Sequence, residues 1–293
     1  MEKSMIQKTL DISSAGTVLV DNEVDKTIQE LVVRNNPLRA NLPRKQGSGS
    51  QWTIVRRTAV PSGAFVADTD TVSAQQGTYT QNTFGYKTIL TRGAVTRKLQ
   101  AQGMSYVDIE AQEIQSALDV VRDAEEYGNI YGNTSTNSNQ YNGLQALISG
   151  GQLKATVAVL SLSELDEAID LCNGMPDMLV GSKRSRRKVQ ALLQTYQRFV
   201  NTVEVKGGFK LMSYNDIPYY WSAQQTDTEG SGDKSSMYVL DSNYIWMGVL
   251  TELKFMRLNP ATSQYTSFDI FEDIAMVLSN TIYHARISGI SAS

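Results

Sequence analysis

The chain has 293 residues, 41% of them hydrophobic and 19% charged, with a formal net charge of −3 and a single cysteine. That length supplies one large core or two modest ones. The charge excludes a global positive field drawing the chain to nucleic acid or anionic lipid, and one thiol excludes an internal disulfide framework or a thiolate zinc cage. No apolar run reaches the ~18 residues of a membrane span, and MEKSMIQKTL lacks a signal-peptide core, so the expected setting is soluble and cytoplasmic, without membrane contact.

Residues 1 to about 15 are mixed in polarity and without period, which reads as an arm that orders against something else. From Asp21, Val24, Ile28, Leu31 and Val32 fall at helical spacing, with acids in the first turn and Pro37 beyond the end. PRKQGSGSQ breaks the chain. QWTIVRRT and TFGYKTILTRGAVTRKL both alternate as strands do, and between them lie roughly thirty polar residues in which Lys and Glu are missing and the only acids are Asp68 and Asp70. The expectation is a long hairpin with a core-poor tip, read either as an arm that finds its partner surface on another chain or as a floppy surface loop.

Ser105 then opens a long amphipathic helix, with Asp108 three residues on in a near capping box and Val107, Ala111, Ile114, Leu118 and Val121 on one face. Its other face carries Glu110, Glu113, Asp119, Arg122, Asp123 and Glu126 and is expected to border solvent or a polar partner. GNTSTNSNQYNG ends it. From Gly151 the pattern becomes α/β: a strand at ATVAVL, an S-x-x-E capping box at Ser161 and Glu164, a helix cap at Gly174, a strand at PDMLVGS, and a helix with Val189, Leu192, Leu193 and Tyr196 on one face. The last third reads as strands packed on the long helix, making one discontinuous domain around the α/β insert.

Catalytic chemistry has little to draw on. The one histidine, His284, sits in an alternating strand and reads as a packed or surface residue, Cys172 reads as a small helix-face hydrophobe, and EGSGDKSS lacks the buried strand of a phosphate loop. No enzyme, metal site or cofactor is expected. One charge cluster needs an answer: Lys183, Arg184, Arg186, Arg187 and Lys188 open a helix, where the macrodipole disfavours cations. The candidates are Glu164, Asp166, Glu167 and Asp170 on the preceding helix, the same run on a neighbouring subunit, or a phosphate backbone.

TFGYKTILTRGAVTRKLQAQGMSYVDIEAQEI and EEYGNIYGNTSTNSNQYNGLQALI, together with the order of elements, resemble the tailed-phage major capsid protein family, whose shell fold was first described for the phage Hong Kong 97. The resemblance implies an α+β fold with an N-terminal arm and helix at 1–50 and an extended β-hairpin loop at 51–91. It also implies a discontinuous peripheral domain at 92–150 and 237–293, with a spine helix at about 105–131, and an inserted α/β axial domain at 151–236. It makes the hairpin a strap over the neighbouring subunit, with Arg56, Arg57, Phe65, Asp68, Asp70, Tyr79 and Phe84 as contact candidates, and the basic cluster an interface or DNA contact. The implied function is a major capsid protein forming hexamers and pentamers of an icosahedral shell around double-stranded DNA, assembled in the host cytoplasm and located in the virion. The implied partners are a portal, a decoration protein and, since the chain begins at a methionine with a short arm, a separate scaffolding protein. The absence of lysine between Lys45 and Lys87 argues against the covalent cross-link some members form. Alternatives are an encapsulin-like compartment shell, a DNA-binding module and a hydrolase.

Overall fold

In the computed structural model the alternating segments resolve into three sheets, and the described residues are 35–63, 65–68, 71, 73–103, 108–154, 159–195, 202–205, 209–229, 233–258 and 264–291. The expected arm, the helix from Asp21, Asp70, Ser105, Val107, Tyr196 and most of ATVAVL lie outside them.

Pro37 begins a short helix, α1 (Pro37–Asn41). Its fixed φ suits the first helical position, where no N–H is needed. Next come β1 (Arg44–Gln46), β2 (Gln51–Ala59), β3 (Thr78–Gly85), β4 (Lys87–Thr96), α2 (Arg97–Gly103) and the long helix α3 (Ile109–Tyr131). The glycine-serine break thus contains a strand, β1, which runs parallel to β11 (Ile245–Leu258). The N-cap of α3 is Asp108, whose carboxylate accepts from the Ala111 N–H at 3.2 Å. The buried face starts at Ala117 and Val121; Ile114 and Leu118 are half-buried and Ala111 is exposed.

The polar loop after α3 folds back through side chains that accept from backbone N–H groups, Asn133 from Ser135, Asn137 from Asn139 and Asn142 from Thr134. Its return passes so close to the helix end that a Cβ on Gly132 would meet the Tyr141 carbonyl at 2.4 Å.

Then follow α4 (Leu144–Leu147), β5 (Leu153–Lys154), α5 (Leu162–Asp170), β6 (Met178–Gly181), α6 (Lys183–Thr195), β7 (Thr202–Val205), β8 (Phe209–Tyr214), β9 (Ile217–Trp221), β10 (Lys234–Leu240), β11, β12 (Tyr265–Leu278) and β13 (Ala285–Ser291). Ser161 and Glu164 close the expected capping box on α5. Gly174 is not its cap: the helix ends at Asp170, and Gly174 lets the chain pass Asp241, whose carboxylate a Cβ would meet at 2.5 Å.

The four-stranded sheet has the order β1-β11-β12-β4, the seven-stranded sheet β5-β13-β10-β6-β9-β8-β7, and β2-β3 form a separate ribbon. Two boundaries therefore move. Residues 87–91 belong to β4 in the four-stranded sheet, not to the hairpin. Strands β10 and β13, expected with the closing sheet, lie in the seven-stranded one. The reason is burial: Ser235–Leu240 are buried throughout, as a central strand requires. Having passed from the four-stranded sheet to the seven-stranded one between β4 and β5, the chain crosses back after β10 and returns after β12. The last two crossovers lie side by side, with Tyr244 and Tyr283 stacked at 3.5 Å and the Ser279 N–H donating to the Tyr244 carbonyl.

One apolar core joins the two sheets, taking Met178, Tyr238 and Leu240 from one, Met247, Val249, Ile274 and Met276 from the other, and Leu38 and Ile130 from the helices. A second core lies between the seven-stranded sheet and α5 and α6, and a third holds Ala117 and Val121 of α3 on Phe268 and Ile270 of β12.

Candidate functional site

The ribbon is held at its root. Trp52 meets Trp246 edge to face at 6.1 Å, Lys45 lies over the Trp246 ring at 3.7 Å, and the Arg56 guanidinium donates to the Leu278 carbonyl at 2.5 Å. Alternation along β2 turns Trp52, Ile54 and Arg56 inward and leaves Val55 and Arg57 exposed. Eight residue pairs join β2 and β3, among them Trp52 opposite Phe84 and Arg57 opposite Tyr79. Beyond Ala59, Gln75 bridges the two sides by accepting from the Ser62 N–H and hydroxyl at 2.8 Å.

The strap candidates divide accordingly. Arg56 and half-buried Phe84 serve the root, Arg57 and Tyr79 lie together on the outer face, and Phe65 and Asp68 lie exposed at the tip. Phe65 touches almost nothing of its own chain, at 110% relative exposure, and Val60 and Val66 are more than half exposed.

The basic cluster opens α6 behind Ser182, whose hydroxyl accepts from the Ser185 N–H at 3.1 Å. Arg184 donates to the Asp227 and Asp233 carbonyls at 2.8 and 2.9 Å and faces the Asp227 carboxylate at 3.5 Å, while Lys183 lies over Trp221 at 4.3 Å. Among the described residues no carboxylate pairs with Arg186, Arg187 or Lys188. Of the four acids expected to answer the cluster, three have nearer partners on this chain: Glu164 closes its capping box, Asp166 accepts from the Tyr214 hydroxyl at 2.6 Å, and Glu167 pairs with Lys154.

A group absent from the sequence reading is a buried ionic cluster. Glu125 and Glu126 of α3 and Glu272 of β12 are fully buried. Arg44 meets Glu125 at 2.7 Å and Glu272 at 3.3 Å; Arg39 meets Glu272 at 2.9 Å and also pairs with Glu125. Glu126, expected on the outer face, instead accepts from the Leu38 and Arg39 N–H groups at 3.2 and 2.9 Å, supplying the cap α1 lacks from Asn36. Burial raises its carboxyl to about 7 against the pull of those donors. The signal was in the spacing, because Glu125 lies four residues beyond Val121 on the same helical face.

His284 is fully buried, accepts from the Asp241 N–H at 3.3 Å and is lowered by desolvation to about 4. Burial raises the Cys172 thiol to about 12. No group of three or more His, Cys, Asp or Glu among the described residues is arranged to hold a metal.

Residues 16–280 match the phage capsid family. The chain belongs to that family. This capsid protein is also similar in structure to the SrpI encapsulin of Synechococcus elongatus PCC 7942, with TM-score 0.76, 11% identity and 97% of each chain covered. A GTA-particle capsid gives 0.71 at 12% identity, covering 97% of this chain and 100% of that one. Mycobacterium phage Bobi gives 0.69 at 15%, covering 95% and 98%. No curated protein matches. At such identities the likeness carries the architecture, the Hong Kong 97-type shell fold. Family membership makes the chain a structural, shell-forming protein of the virion.

Proposed function

We propose that the chain assembles as hexamers and pentamers of an icosahedral shell enclosing phage double-stranded DNA, with the β2–β3 ribbon as the strap between subunits. The observation that carries this reading is a ribbon rooted firmly on its own sheet whose tip leaves Val60, Phe65 and Val66 uncovered. Exposed apolar side chains grouped at the end of an arm mark a protein contact. Arg57, Asp68, Asp70 and Tyr79 are its polar contacts, and Arg186, Arg187 and Lys188 meet a neighbouring subunit or, without sequence preference, the packaged DNA. A separate scaffolding protein, a portal and a decoration protein complete the particle, which forms in the host cytoplasm. Each contact is weak alone and is multiplied by closure.

Deleting residues 63–77 tests the strap. The expected product is a folded subunit with an unchanged melting temperature that makes no stable shell; normal shells from that variant would remove the strap. A second reading, a compartment holding enzymes, is favoured by the likeness to SrpI. The two separate on the contents of shells made in the host, nucleic acid in the first and protein cargo in the second.

A further inference from the structure

The sequence holds two asparagine–glycine pairs, Asn142–Gly143 and Asn173–Gly174. In such a pair no Cβ shields the glycine nitrogen, so it can turn onto the asparagine side chain and attack it wherever the backbone is loose enough to bend. The fold treats the two pairs in opposite ways.

Asn142 is held. Its side-chain oxygen accepts from the Thr134 N–H and hydroxyl, both at 2.9 Å, and the Gly143 N–H donates to the Gly132 carbonyl at 2.8 Å. Gly143 is buried against α3, where a Cβ would meet the Gly128 carbonyl at 2.4 Å. Asn173 is exposed, in the loop between α5 and β6, close to Met175 at 88% relative exposure. Among the described residues no hydrogen bond holds the Asn173 side-chain amide or the Gly174 N–H. The loop is nonetheless tied to the joint between the sheets. The Asn173 N–H donates to the Ile282 carbonyl at 2.9 Å and Asp177 accepts from the Ser242 N–H at 2.9 Å, so the loop touches both the β12–β13 and the β10–β11 crossovers. Gly174 runs between Asp241 and Tyr283, whose ring a Cβ would meet at 3.0 Å.

We propose that Asn173–Gly174 is a self-modification site, at which the asparagine converts to aspartate and isoaspartate and loosens this joint. Water is the only co-reactant. The Gly174 nitrogen gives its proton to solvent and bonds to Asn173 Cγ; the Cγ–Nδ2 bond breaks, and the amide takes up a proton and leaves as ammonia. Water then opens the cyclic imide at either carbonyl, giving aspartate or, through Cγ, an isoaspartate whose main chain is longer by a methylene. Nothing is oxidised or reduced. The product adds a carboxylate to a joint that already holds Asp177 and buried Asp241, so like charges face one another there. The lengthened main chain has no room to spread at Gly174, with Asp241 on one side and Tyr283 on the other.

The test holds the purified full chain at mildly alkaline pH and follows it by peptide mapping in a mass spectrometer and by enzymatic methylation of isoaspartate. In the folded chain Asn173 is expected to convert at least about tenfold faster than Asn142, because the hydrogen bonds at Asn142 must open first. In denaturant the two pairs are expected to convert at matching rates, with isoaspartate among the products. Aged wild type is expected to melt below fresh protein. Asn173→Gln, a change at an exposed side chain that keeps the N–H bonded to Ile282, is expected to melt alike before and after ageing. An unchanged Asn173, or Asn142 converting as fast in the folded chain, would overturn the site. Rates that stay unequal in denaturant would put the cause in the neighbouring sequence instead of the fold and would overturn it too, and aspartate without isoaspartate would overturn the imide step. Conversion that leaves the melting temperature where it was would overturn the loosening of the joint.

Discussion

Glu126 and His284 are both fully buried and titrate in opposite senses. Glu126 is raised from 4.5 to about 7, so between those values the folded chain keeps a proton the unfolded chain has released, and stability falls as pH rises. His284 is lowered from 6.5 to about 4, so across that window the unfolded chain holds the extra proton and stability rises with pH. Each contribution is on the order of 3 kcal/mol, and over their shared span they offset. Glu126→Gln is expected to cost about 1 kcal/mol from a weakened cap and to unmask a stability that climbs with pH. Urea midpoints at about pH 5 and about pH 7 check this, and a variant as flat as wild type would contradict it. At the same cluster, Glu272→Ala leaves two arginines facing the single carboxylate of Glu125. It should cost about 3–5 kcal/mol, read as a lowered melting temperature. These residues were hard to see in the sequence because a charged side chain is ordinarily assigned to the surface. Their partners Arg39 and Arg44 lie more than eighty residues from Glu125.

At the scale of elements, α3 was legible where local rules govern and misread where packing does. Its period, length and C-terminal glycine follow from the sequence, but which part of the apolar stripe is covered depends on where β4 and β12 lie. Val121 is fully buried against Phe268 and Ile270, whereas Leu118 is half-buried. Val121→Asp should therefore abolish soluble, cooperatively melting protein by stranding a charge in that core, while Leu118→Asp should give a soluble chain with a lowered melting temperature. Equal behaviour of the two, measured by solubility and thermal melting, would place the core elsewhere. The hairpin was legible because alternation and a missing Lys and Glu population are local properties. Its root was not, since the contacts of Trp52 with Trp246 and of Arg56 with Leu278 join segments about two hundred residues apart.

For the whole molecule, the order of elements carried the family resemblance, and the strand exchange between sheets was what order alone missed. β10 and β11 are consecutive, as are β12 and β13, yet each pair is split between the two sheets, with Tyr244 stacked on Tyr283 where the crossovers meet. The shared core of Tyr238, Leu240, Met247 and Met276 couples the sheets, so the body can present the ribbon root in a fixed orientation. A rigid body with a projecting arm is a geometry that suits repeated subunit contacts. The most direct test of self-assembly is negative-stain electron microscopy of the purified chain, with its mass in solution, expressed with and without a scaffolding partner. Closed shells or capsomer rings are the predicted result, and a persistent monomer under both conditions would contradict it.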